Sequence, residues 1–174
     1  MVRGGMMQQK GFTIIELLIV IVVIAILAAI TVVAFNGIQN RANDVAVQND
    51  MSMIARKLKA YATTDGVYPT SGVDMYNLGL KVTKGAYGNH FYNGVSYYNL
   101  VYCWPNSGSI DTFALVASSK SGKVFEYTPS GVLREASYGF TGGSAGICTN
   151  AGVSTGGSTR HWFYDNNAWQ SFAG

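Results

Sequence analysis

Few residues in this chain could do chemistry, and the most informative is a carboxylate. Glu16 is the only ionisable side chain in FTIIELLIVIVVIAILAAITVVAF, residues 12–35. A carboxylate in a bilayer costs about 2.5–3.5 kcal/mol on insertion scales, so a functional role is the default expectation. The plainer reading is a helix-end carboxylate that snorkels to the headgroups and meets the helix N-terminus. Other candidates are weaker. Gly142-Gly143-Ser144-Ala145-Gly146 fits the G-x-S-x-G pattern of a hydrolase nucleophile, which needs a strand before it and a helix after it. The sequence predicts Gly-rich loop on both sides, and His161 precedes Asp165, the reverse of the hydrolase order. His90 and His161 stand alone among aromatics with no second ligand at fixed spacing, so a packing or surface role is expected and no metal site. Asp165-Asn166-Asn167 could offer oxygens to Ca²⁺, but with one carboxylate it reads as a turn. Cys103 and Cys148 match no metal motif. Outside the cytoplasm a pair suggests one disulfide; two buried free thiols are the alternative. Catalytic residues and cofactors are expected to be none.

The element that positions Glu16 must be a helix. A hydrocarbon core is crossed by roughly 20 apolar residues, and residues 12–35 are long enough and hold neither Gly nor Pro. A helix satisfies its own backbone in lipid, whereas an isolated strand cannot. Beyond it, Val47, Met51, Ile54, Leu58 and Tyr61 recur at i, i+4, i+7, i+11 and i+14, one apolar stripe. Asp65-Gly66 supplies the stop, Gly66 suiting a left-handed cap. The prediction is one helix over residues 12–64, on the order of 80 Å long.

Residues 66–88 read as a connector, with a turn at Pro69-Thr70-Ser71-Gly72. Asn93-Gly94 between residues 91–92 and 95–104 is a strong hairpin signal. Residues 112–118, 123–128 and 132–136 are further short β runs between Gly-containing turns, an antiparallel meander on which the helix would pack. Of the 21 residues from Gly139 to Thr159, 14 are Gly, Ser or Thr, which predicts a long surface loop. The tail, residues 160–172, reads as a last strand pair turning at Asp165-Asn166-Asn167. The fold class is α+β.

Before the apolar run lies MVRGGMMQQKG, short, polar and basic. No A-x-A-like cleavage site follows the run, as a secretory signal would require. Lys10-Gly11, then Phe12-Thr13, then Glu16 as the fifth residue after the Gly, then an unbroken apolar run, together resemble a type IV prepilin over about the first 35–45 residues. The resemblance implies a leader, 1–11, cut by prepilin peptidase between Gly11 and Phe12, and N-methylation of Phe12. It implies a transmembrane or fibre-core half of the helix at 12–35, an amphipathic half at 36–65, and a connector and C-terminal β domain at 66–174. Glu16 would guide assembly by neutralising the Phe12 ammonium of a neighbouring subunit, since either charge buried unpaired is costly. A disulfide-bounded C-terminal segment, often exposed and variable, is also common in such pilins. The chain departs from many pilins at Val33, where they carry a helix-kinking Pro about 22 residues into the mature chain, and at Ala25, where they carry Gly.

Charge limits the remaining classes. Removing Arg3 and Lys10 from 12 basic residues leaves 10 against 9 acidic, a net of +1. That gives no support to tight nucleic-acid binding. Arg3 and Lys10 before the span put the N-terminus in the cytoplasm by the positive-inside bias. The expected partners are prepilin peptidase, the cytoplasmic membrane crossed once before assembly, and like subunits in an extracellular, periplasmic or cell-surface filament. The function expected is a structural subunit of a type IV pilus or related filament, with no enzymatic activity. Alternatives are a type II secretion or competence pseudopilin, or a membrane-anchored adhesion or DNA-binding module. The last would show a patch of exposed Lys81, Lys84, Lys120 or Lys123, or of Tyr from the run Tyr87, Tyr92, Tyr97, Tyr98 and Tyr102.

Overall fold

The structure, a computed structural model, describes residues 11–88, 90–92, 95–105, 112–141, 143–153, 162–165 and 168–171. The leader residues 1–10, the Asn93-Gly94 turn, Asn166-Asn167, His161 and residues 154–159 lie outside the described residues. The chain divides into two compact units, Met1–Gln39 and Asn40–Gly174.

The first element is α1, Ile14–Asp65, 52 residues. It ends where the sequence predicts: Gly66 takes φ +78° and donates its N–H to the Ala62 carbonyl at 2.9 Å. Ser71 then caps a short helix, α2 (Gly72–Asn77), accepting from the Asp74 N–H at 3.2 Å. The expectation of a mere turn at 69–72 is corrected here. Ser71-x-x-Asp74 is a capping pattern, and Met75 in the helix it starts is buried. A 3₁₀ turn, Lys84–Ala86, follows.

The strands are β1 (His90–Tyr92), β2 (Val95–Tyr98), β3 (Leu100–Cys103), β4 (Ala114–Ser118), β5 (Val124–Tyr127) and β6 (Leu133–Glu135). After these come α3 (Ser144–Asn150), β7 (Trp162–Asp165) and β8 (Ala168–Ser171). β3-β4-β5-β6 form an antiparallel meander, and β1-β2 and β7-β8 are separate antiparallel pairs. The run expected as one strand over 95–104 is broken at Asn99, a buried residue whose carbonyl accepts the Ser118 N–H at 2.9 Å. β2 stays with β1, while β3 begins the main sheet.

In that sheet Leu100 pairs with Ala117, Tyr102 with Leu115, and Leu115 in turn with Tyr127. These residues face one side and pack with Val47, Met51, Ile54, Ala55 and Leu58 of α1. The expected stripe is therefore the core face; Tyr61, at its end, is only half-buried. The opposite face carries Val101, Cys103, Ala114, Val116 and Val124. It is covered by Phe140, Ile147, Cys148, Ala151 and Val153. A loop over the whole of 139–159 is thus a second correction. Residues 144–150 are helical, with Ile147 and Cys148 aimed inward, and Ala151 and Val153 just beyond the helix are buried with them. Burial on both faces also explains why LVYC and ALVAS are continuous apolar runs rather than alternating ones.

Cys103 and Cys148 are joined by a disulfide, with Cα atoms 5.5 Å apart. Gly88 marks another close approach. A Cβ there would lie 2.6 Å from the Ser119 carbonyl oxygen. Its own N–H donates to the Ser118 carbonyl at 2.9 Å.

Candidate assembly site

Glu16 lies in the first turn of α1, and its surroundings are set by Thr13, the residue before the helix. The Glu16 N–H donates to Thr13 Oγ1 at 3.3 Å. In return Glu16 Oε2 accepts from the Thr13 N–H at 2.9 Å and from Thr13 Oγ1 at 2.7 Å. This reciprocal pair is a capping box, which satisfies donors that a helix start otherwise leaves open. The T-x-x-E signal is plain at 13–16 and gives Glu16 a local role beside those of a snorkelling or pairing carboxylate. Both bonds fall on Oε2, so among the described residues Oε1 has no partner and can still accept.

Around this carboxylate the surface is apolar. Phe12 is 90 % exposed, and no side chain from Ile14 to Ile38 is buried within the chain. The polar hydroxyl of Thr31 is folded back onto the Ala28 carbonyl at 2.9 Å, which removes its demand for water. The helix is long and apolar enough to cross a membrane. A surface apolar all round requires a lipid or protein environment. Gly11, the other residue of the expected processing site, is exposed at the start of the described chain. Val33 and Ala25 lie within regular helix.

The second unit buries three of its acids, Asp44, Asp50 and Glu126. Asp50 of α1 accepts from the Thr83 N–H at 2.6 Å, from the Thr83 hydroxyl at 3.3 Å and from the Tyr87 hydroxyl at 3.2 Å. Burial, and then the charge of Asp50, push the Tyr87 phenol far above its ordinary pKa. Asp44 accepts from the Ser121 hydroxyl in the β4–β5 turn. Lys57 donates to the Leu78 and Gly79 carbonyls, both at 2.8 Å, closing the end of α2. None of these ties was expected, because polar side chains on a helix read as solvent-facing and their partners are distant in sequence.

Lys81, Lys84, Lys120 and Lys123 are all exposed. Lys123 is bound to Glu135 at 2.7 Å, a hydrogen bond that raises its pKa. Tyr87 and Tyr102 are core residues, and burial pushes the Tyr102 phenol up as well. The Tyr92, Tyr97 and Tyr98 side chains lie outside the described residues. Ser144 does open a helix, contrary to the expected loop, but Gly139–Thr141 before it are not a strand. Among the described residues no group of His, Cys, Asp or Glu could hold a metal.

Comparison with known proteins agrees with the helix. Residues 6–32 match the prokaryotic N-terminal methylation motif. The chain is 38 % identical over 78 residues to the type IV wide pilus major component PilA4 of Thermus thermophilus; the match covers 45 % of this chain and 60 % of that protein. It is 28 % identical over 126 residues to the type II secretion system core protein G of Vibrio cholerae, covering 67 % of this chain and 86 % of the relative. The corresponding Pseudomonas aeruginosa protein is 34 % identical over 64 residues, 37 % of this chain and 45 % of its own length. The chain thus spans about three-fifths of the pilus relative. With that motif, and with a long N-terminal helix packed on a four-stranded antiparallel sheet, the chain is type IV pilin-like. The relatives it matches are pilus and secretion-system components.

Proposed function

We propose that the chain is a structural subunit of a type IV pilus or a related filament. The observation that carries this reading is the exposed apolar surface of α1 around a single carboxylate, within the segment that matches the methylation motif. Residues 1–11 serve as the leader, which prepilin peptidase removes between Gly11 and Phe12, and Phe12 is then N-methylated. Before assembly residues 12–35 cross the cytoplasmic membrane once, with the N-terminus in the cytoplasm. After it they pack with like helices in the filament core. The amphipathic half, 36–65, carries the connector and β domain, 66–174, which face outward.

Glu16 guides docking. Its Oε2 is held by Thr13, and Oε1 accepts the Phe12 ammonium of a neighbouring subunit. Transfer from lipid to a helix bundle exchanges one apolar environment for another, so packing and this ion pair must direct assembly. The chain acts as a building block and not as an enzyme. A pseudopilin of type II secretion is the second reading, favoured by the match across 86 % of the core protein G of Vibrio cholerae.

The test is intact-mass and N-terminal analysis of protein from its native cell, followed by Glu16→Ala. A mature N-terminus at Phe12, heavier by a methyl group, and loss of filaments in Glu16→Ala are expected. An intact Met1 terminus in exported protein refutes the proposal.

A further inference from the structure

An open cleft of about 380 Å³ lies between the β5–β6 turn and the end of α3. It is lined by Thr128, Ser130, Val132 and Arg134 on one side and by Asn150 and Gly152 on the other. Both walls are fixed. Thr128 closes its turn by accepting the Val132 N–H at 3.1 Å, and Gly131 sits at φ +86°. α3 is tied to β3 through Cys148. The size is that of a small-ligand site.

The distinctive group is Arg134. Its Nε donates at 2.6 Å to Glu126, a carboxylate only 2 % exposed, whose other oxygen accepts the Tyr138 hydroxyl at 2.6 Å. Glu126 is thereby fully engaged and orients the guanidinium without covering it: the Arg134 side chain is 63 % exposed. Among the described residues the two Nη groups have no partner. A planar guanidinium with two parallel donors matches a carboxylate. The rest of the rim is suited to hydroxyls. Ser130 Oγ is bonded to Thr128 Oγ1 at 2.8 Å and retains hydrogen-bonding capacity, and the Asn150 amide is exposed with no partner among the described residues. Pro129 and Val132 add apolar lining.

We infer that this cleft binds an acidic sugar residue, its carboxylate on the Nη groups of Arg134 and its hydroxyls on Ser130 and Asn150. The inference goes beyond filament assembly and does not depend on it.

The test is titration of the full-length protein in detergent micelles with glucuronate, glucose and acetate. Glucuronate should bind, with glucose about tenfold weaker or more for want of the charge-assisted pair, and acetate about tenfold weaker for want of the hydroxyl contacts. Arg134→Gln should weaken glucuronate about tenfold. That variant also strips Glu126 of its partner. Asn150→Asp therefore serves as the second, placing a repelling charge at the rim with the fold's hydrogen bonds untouched; it should weaken glucuronate comparably at an unchanged thermal midpoint. Three outcomes overturn the inference: no glucuronate binding at millimolar concentration, equal binding of acetate, or glucuronate affinity unaffected by Asn150→Asp.

Discussion

Replacing Cys103 and Cys148 together by alanine tests how the second face of the sheet is held. The bond closes a sequence separation of 45 residues. In the chain-entropy picture a loop of that length adds about 4 kcal/mol by restricting the unfolded chain. At about 2–4 °C per kcal/mol for a chain of this size, the midpoint should fall by about 8–16 °C. The loss should not be spread evenly. α3 is seven residues long; it contributes Ile147 to the core beneath it, and the residues just after it contribute Ala151 and Val153. Without its covalent tie it should open before the α1 face does. Hydrogen exchange at the Ile147, Ala151 and Val153 amides, bonded to Gly143, Ile147 and Cys148 carbonyls, reads this directly. Thermal melting in micelles reads the total. A midpoint lowered by less than about 3 °C, with exchange at those amides unchanged, would refute the reasoning, since that corresponds to roughly 1 kcal/mol or less.

Gly88→Ala should cost about 1–3 kcal/mol in thermal or denaturant melts, because its Cβ meets a backbone oxygen at 2.6 Å that cannot swing aside. Thr13→Val should loosen the first turn of α1 by about 1 kcal/mol, seen as faster exchange of the Glu16 amide, and give a milder filament defect than Glu16→Ala. Alkaline stability should also fall. The Tyr87, Tyr102 and Tyr138 phenols are raised in the fold by burial, so the native state keeps protons that the unfolded chain releases above about pH 10. Stability is whole below that pH and declines as pH rises toward the raised values. Tyr87→Phe should flatten part of the decline; an identical slope would contradict the assignment.

What was legible in the sequence was whatever repeats locally. α1 announces itself through an unbroken apolar run and then a stripe at helical spacing, and Asp65-Gly66 announces its end. Three strands of the meander, β4, β5 and β6, are bounded by their turns to within a residue or two, whereas the start of β3 at Leu100 was hidden in a longer run. What the sequence concealed depends on partners far along the chain. Composition marks 139–159 as loop, yet Ile147 and Cys148 have a face to cover that is formed by β3, β4 and β5. Asp44, Asp50 and Glu126 look like surface acids until their partners Ser121, Thr83 and Tyr138 are brought beside them. Near the candidate site, the position of Glu16 was legible from charge alone. Its bond to Thr13 needed only the capping pattern three residues apart.

β6 has a consequence for any crowd of these molecules. It is one of the two edge strands of the main sheet, three residues long, and its exposed positions are Arg134 and Glu135. An edge strand offers unpaired backbone groups, and a long flat one invites another sheet to join. Subunits gathered at high local density by their helices would meet edge to edge repeatedly. A short edge carrying both signs of charge makes such a meeting unrewarding. In a filament of the kind proposed, two routes to polymer would thereby be kept apart: one ordered and helical, the other a cross-strand stacking that could not readily be undone.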